Sequence, residues 1–310
     1  MSLPSPAGGR SGAGVRARRA GHAVGVDTFR RGPLVFDVRD GGPADGEPVV
    51  LLHGFPQDSS AYDRLATALH GQGFRTLAPD QRGYSPGARP TGRSAYALRE
   101  LVDDVRALLD SAGLRSAHVV GHDWGAVVAW ALAAWHPERV RTLTALSVPH
   151  PAAFSRALIT SPQALMSTYI AFFQLPALPE RVLLAGNGTP LTRLLETMGL
   201  HRDHAERYVA RMREPGALTA ALDWYRALPF SARAMAGTRG RGTVGRITVP
   251  TLHVWSSGDP ALSRAGAEAT GRYVDAPYQL EVLLGVPHWI PEVAAEHTAG
   301  LVVAHARTHG

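Results

Sequence analysis

The chain has 310 residues, of which 45% are hydrophobic and 19% charged; this is enough to bury a substantial core and excludes a disordered or fibrous protein. With no cysteine, it also excludes a disulfide framework, a thiolate metal site, an iron–sulfur cluster and a cysteine nucleophile. Its net charge is +6, but all 32 basic residues are arginine, scattered rather than gathered in a stripe with interleaved aromatics, so no nucleic-acid partner is expected. Residues 1–22 are rich in Gly, Ser, Ala and Arg and lack the apolar stretch of a secretory signal; they read as an unstructured segment, with a cytoplasmic location as the default.

From about Leu34, short apolar runs alternate with amphipathic ones. Glu47 to Phe55, Phe74 to Asp80, Ala117 to Asp123 and Val140 to Val148 read as strands covered on both faces. Leu98, Leu101, Val102, Val105, Leu108 and Leu109 recur at three- and four-residue steps, predicting a helix stopped by Gly113. The uncharged run Trp124 to Trp135 is too short to cross a bilayer and predicts a buried helix, so no membrane is expected. Alternating strands and helices imply a mostly parallel sheet flanked by helices.

After Pro149 and Pro151 the pattern becomes helical, and it ends in the glycine-rich connector Gly237 to Gly245. Strands resume at Ile247 to Ser256 and Tyr278 to Val286, followed by a last helix. The expected architecture is therefore an α/β core domain, 25–150 and 240–310, interrupted by a helical cap domain at 151–239.

The chemistry concentrates at predicted strand ends. Gly121-His122-Asp123-Trp124-Gly125 has small residues two before and two after Asp123, as the tight strand-to-helix turn of a nucleophile elbow requires. The alternative is that Asp123 merely caps the following helix. Asp259 and His288 follow the last two strands, giving the chain order nucleophile, acid, histidine, and residues at the carboxyl ends of parallel strands converge on one sheet edge. In His53-Gly54-Phe55-Pro56 and after the nucleophile, the Phe55 and Trp124 amides are the expected oxyanion hole; an ordinary turn would also fit.

An aspartate, with a usual pKa near 3.9, is already an anion at neutral pH and suits displacement at saturated carbon. Attack on an epoxide or a carbon–halogen bond would leave an ester on Asp123, which His288, supported by Asp259, would clear by activating water. An opening epoxide also needs a proton donor for its alkoxide. Tyr169 and Tyr225, both in the insertion, have the right chemistry, although either alone fits simple packing.

Taken together, HGFP at 53–56, Asp80-Gln81-Arg82-Gly83-Tyr84, GHDWGA at 121–126, the stretch Tyr169 to Pro176, Asp223-Trp224-Tyr225-Arg226 and the histidine of Pro287-His288-Trp289 resemble the epoxide hydrolases of the α/β-hydrolase fold. The resemblance runs from about residue 26 to 300. It implies that Asp123 is the nucleophile and that Tyr169 and Tyr225 bind and protonate the epoxide oxygen. It also implies turnover without a cofactor or metal, the partners being a small apolar epoxide and water; a homodimer is compatible with it. Trp124, Phe172, Phe173 and Trp224 are the expected apolar lining, and His150 stands either at the cap mouth or as a brace of the hinge. The sequence departs from the family habit at Ala126, Asp223 and Ser85, none of them a reacting group. Two rivals remain: a haloalkane dehalogenase using the same aspartate, with Trp124 on the halide, and a hydrolase-fold protein that binds a ligand without turnover.

Overall fold

The computed structural model describes Met1, residues 25–228 and residues 244–310. Of the segment 1–22 all but Met1, and most of the connector Gly237–Gly245, lie outside the described residues. Eight strands form one sheet: β1 (Thr28–Arg31), β2 (Leu34–Gly41), β3 (Glu47–Leu52), β4 (Phe74–Pro79), β5 (Ala117–His122), β6 (Val140–Leu146), β7 (Thr251–Ser256) and β8 (Tyr278–Leu283). Their spatial order is β1-β2-β4-β3-β5-β6-β7-β8. From β4 to β8 all neighbours are parallel, while β1 and β2 add an antiparallel edge.

The central strands β5 and β7 are buried along their whole length, which is why they read as unbroken apolar runs. Three helices alternate with them: α1 (Asp63–His70), α2 (Leu98–Ser111) and α3 (Trp124–Trp135). The predicted stripe of α2 is buried in full, and Gly113 just beyond it takes a left-handed φ of 67°. In α3, eight of twelve residues are buried, in keeping with its lack of a polar face.

Each strand predicted from sequence is longer than the strand observed. The surplus residues are the sheet-edge turns themselves, where Asp123 and Ser147 take left-handed φ values of 51° and 67° and leave the ladder. On the other side of β7, Ile247 makes only an isolated bridge to Val274, and Pro250 has no N–H to donate. The hairpin β1–β2 and the helix α1 were not anticipated from sequence; the Phe29 and Phe36 rings stack across that hairpin at 4.5 Å.

Between β6 and β7 the chain forms α4 (Pro151–Thr160), α5 (Gln163–Met166), α6 (Thr168–Phe173), α7 (Leu178–Leu183), α8 (Ala185–Thr197), α9 (Arg202–Met212) and α10 (Ala217–Arg226). Side chains clasp this insertion to the sheet end that carries the catalytic candidates. Arg211 Nη2 donates to Asp80 Oδ2 at 3.0 Å, Trp224 Nε1 to the Arg82 carbonyl at 2.8 Å and Gln163 Nε2 to the Ala261 carbonyl at 2.7 Å. Asp80 and Arg82 belong to the DQRGY segment, which is thus structural on both sides: Arg82 also forms a two-pronged buried pair with Asp104 of α2, both bonds at 2.7 Å. No described helix is long and apolar enough to cross a membrane.

Candidate active site

The turn at Asp123 can form only because its glycines have no side chains. A β-carbon on Gly121 would overlap the Gly125 carbonyl, one on Gly125 would overlap the Leu52 carbonyl, and Asp123 between them is held at φ 51°, ψ −121°. The carboxylate makes no capping bond to the helix it precedes. Instead Oδ1 accepts the Phe55 N–H at 2.8 Å, across from the HGFP turn. The helix-cap alternative therefore does not describe this aspartate. Trp124 opens α3, where the first N–H groups have no partner within the helix.

Three strand ends meet here. His288 Nδ1 lies 2.7 Å from Asp259 Oδ2, and His288 Nε2 lies 3.7 Å from Asp123 Oδ2. Asp259 is fixed in turn through Oδ1, which accepts the Ala261 and Leu262 amides at 2.8 and 3.2 Å. Desolvation opposes charge on the buried His288 ring, yet the two flanking carboxylates outweigh it and raise its pKa to about 10. Desolvation also works against the Asp123 anion, but hydrogen bonding and charge from His288, together with the Phe55 amide, hold its carboxyl below the usual value. The resting site is thus an imidazolium between two carboxylates. His122, next to it and fully buried, is pushed down to about 3, first by desolvation and then by the His288 charge.

The insertion covers this cluster with aromatic rings. Tyr225 packs edge-on against Trp124 at 5.0 Å and Phe55 at 5.5 Å, and against Phe173 at 5.0 Å; Tyr169 lies 6.1 Å from Tyr225. Both phenols are raised above their usual pKa, first by desolvation and next by the Asp123 charge. Tyr225 is buried, whereas Tyr169 remains 36% exposed and stands at the rim. Phe172 packs beside Phe173 at 6.0 Å. Trp224 stacks edge-on behind Trp124 at 5.7 Å with its N–H spent on Arg82, so it supports the lining from the second layer.

The two tyrosine segments are locked to each other. Arg226 donates to the Phe173 and Leu175 carbonyls at 3.0 and 2.8 Å and pairs with Glu180 at 2.8 Å, while Gln174 Nε2 donates to the Tyr225 carbonyl at 2.8 Å. Asp223 belongs to this brace through Arg226, 3.4 Å away, and lines an outer groove with Arg93 and Glu180. Ser85 accepts the Asp37 amide and donates to the Asp80 carbonyl, both at 2.8 Å.

His150 does not join the cluster. Its Nδ1 accepts the Ala152 N–H at 3.2 Å, capping α4, its Nε2 lies 3.0 Å from the Gly245 carbonyl, and its ring stacks on Tyr273 at 4.9 Å. These contacts tie it to the start of α4 and to the stretches around Gly245 and Tyr273. Sequence reasoning missed Gln57, His122, Tyr208 and Glu292, whose side chains form a connected buried group beside the site. Burial raises the Glu292 carboxyl to about 7 despite bonds from Gln57 and Tyr208. Among the described residues no group of three or more His, Asp or Glu side chains could hold a metal ion.

A family model described as the alpha/beta hydrolase fold matches residues 47–295. A Bacillus subtilis protein named AB hydrolase superfamily protein YfhM is 35% identical, over 83% of this chain and 89% of its own. Epoxide hydrolase A of Mycobacterium tuberculosis is 32% identical, over 83% and 90%. The chain belongs to the epoxide hydrolases of the α/β-hydrolase fold. Solved epoxide hydrolases share its architecture: that of Vigna radiata superposes with a TM-score of 0.78 at 26% identity, covering 91% of this chain and 97% of the other.

Proposed function

We propose that this epoxide hydrolase converts small apolar epoxides to vicinal diols through an ester on Asp123. The observation that carries the reading is the Asp123 carboxylate itself. It is held on a strained turn, oriented by the Phe55 amide rather than by its own helix, and lies 3.7 Å from His288 beneath two tyrosines.

In the first step an Asp123 oxygen bonds to an epoxide carbon, the carbon–oxygen bond breaks, and the alkoxide takes the proton of Tyr225 or Tyr169. Burial first and the Asp123 charge next disfavour a tyrosinate, and ester formation removes that charge at the moment the phenol must give up its proton. The same event strips His288 of one of its two carboxylate partners. Its pKa falls from about 10, its proton passes to the tyrosinate and restores the neutral phenol, and the neutral ring becomes a base.

In the second step His288 takes a proton from water, the hydroxide adds to the Asp123 carboxyl carbon, and the oxyanion is held by the Phe55 and Trp124 amides. Collapse expels the diol with a proton from His288, and the new carboxyl group passes its proton to the ring, which regenerates the aspartate and the imidazolium. Trp124, Phe55, Phe172 and Phe173 give the substrate an apolar surround, which favours epoxides with hydrocarbon substituents.

The test is a single turnover of excess enzyme in oxygen-18 water. The first diol should carry no label, and the label should appear in the carboxyl group at position 123. A labelled first diol with an unlabelled Asp123 would mean that water attacks the epoxide directly.

A further inference from the structure

Four buried side chains that take no part in the proposed steps lie in one line of close polar contacts from the insertion to the active-site loops. Tyr208 of α9 donates to Glu292 Oε1 at 2.8 Å, and Gln57 Nε2 donates to the same oxygen at 2.8 Å. Gln57 Oε1 accepts the Gly54 N–H at 3.0 Å and lies 2.8 Å from His122 Nδ1. His122 Nε2 lies 2.9 Å from the backbone carbonyl of His288, to which Ser147 donates at 3.1 Å; as both neighbours of the His122 ring are acceptors, its one N–H serves only one of them. None of the four is more than 4% exposed. The orientation of Gln57 is fixed: the Gly54 N–H can only donate, so the amide oxygen faces it and the NH₂ faces Glu292.

The line ends on two groups with a shared role. Gly54 precedes Phe55, whose amide would receive the oxyanion, and the His288 carbonyl fixes the backbone of the base. Both serve the breakdown of the ester; the Phe55 amide also orients Asp123 for its formation, which relies besides on the elbow and on the tyrosines. One Glu292 oxygen gathers a donor from the insertion and a donor from the HGFP turn, which an apolar side chain of the same size cannot do.

We propose that Glu292 is a positioning residue for ester hydrolysis, holding the Phe55 amide through Gln57 and backing His288 through the His122 ring packed between Gln57 and its backbone. This rests on the two-step reading above.

The test is rapid-quench intact-mass spectrometry with styrene oxide, which measures ester formation and ester breakdown separately. In Glu292→Leu, breakdown should slow by at least about tenfold, as expected for a small displacement of reacting groups, and by at least about threefold more than formation, so that ester accumulates. Glu292→Gln, whose side-chain carbonyl can accept both donors, should restore breakdown to within about threefold of the native rate. Equal slowing of both steps, no slowing at all, or failure of Glu292→Gln to restore the rate would overturn the proposal. If Glu292→Leu does not fold, Tyr208→Phe, which removes only the donor from the insertion, should still slow breakdown more than formation; equal rates there would overturn it as well. His288→Gln run alongside keeps the two readings apart: absence of ester in that variant would reject the two-step mechanism itself.

Discussion

Gly54 and Asp123 are packed so closely that a β-carbon on the glycine would lie 2.7 Å from the aspartate Cγ and would overlap its Cβ and Oδ1. The HGFP turn and the nucleophile elbow are therefore halves of one fitted joint. Gly54→Ala should fold, because the joint lies at the sheet edge, but it must displace either the carboxylate or the Phe55 amide. The expected loss in kcat is about 100-fold or more, since displacement of reacting groups by about 1 Å is costly on that scale. Steady-state kinetics beside an unchanged circular dichroism spectrum checks it; near-native kcat would show that the joint yields.

On the proposed mechanism, His288→Gln leaves the nucleophile and the tyrosines intact and removes only the base. Mixing this variant with styrene oxide should raise the intact mass by that of one substrate, with the increase mapping to a peptide containing Asp123. Asp123→Ala should show neither the adduct nor turnover.

Replacing both Tyr169 and Tyr225 with phenylalanine removes every phenol from the aromatic cover of Asp123. The rate of ester formation should fall by about 10²–10⁴, the usual weight of a positioned proton donor. Of the single variants, Tyr225→Phe should cost more, because Tyr225 is buried against Phe55 and Trp124 while Tyr169 stands at the rim. Undiminished formation in the double variant would leave the alkoxide without its donor and sink this assignment.

The imidazolium between two carboxylates also predicts a pH dependence of stability. The folded pKa of His288 is about 10, against about 6.5 unfolded, so folding takes up a proton between those values. The stabilisation it brings is fully present below pH 6.5 and is lost as pH rises through 10. The Tm difference between the native chain and His288→Gln should therefore shrink across that window in thermal unfolding. A difference independent of pH would contradict a charged resting histidine.

What could be read in advance follows from how far apart the partners lie in sequence. Asp123, Asp259 and His288 are each announced by a strand followed by turn residues within a few positions, and Tyr169 and Tyr225 by compact aromatic motifs. The brace that sets those motifs together, from Arg226 to the Phe173 and Leu175 carbonyls, spans about fifty residues and has no local signature. Glu292 and Gln57 are 235 residues apart, and the ring nitrogen of His150 finds the Gly245 carbonyl 95 residues away. A buried glutamate beside Pro291 looks like any helix-start acid until the fold brings its partners. The β1–β2 hairpin was missed for another reason: its burial alternates along β2, unlike the solid apolar runs that marked the parallel strands.

Tyr225 touches Phe55 and Trp124 of the scaffold on one side and Phe173 and Tyr169 of the insertion on the other. The two phenols therefore ride on a segment strung between β6 and β7, while the carboxylates, the histidine and the backbone amides are cut into the scaffold's rim. Such a division lets the wall that greets the substrate drift in shape over generations while the reacting atoms beneath keep their alignment, provided the clasps at Asp80, Arg82 and Ala261 hold.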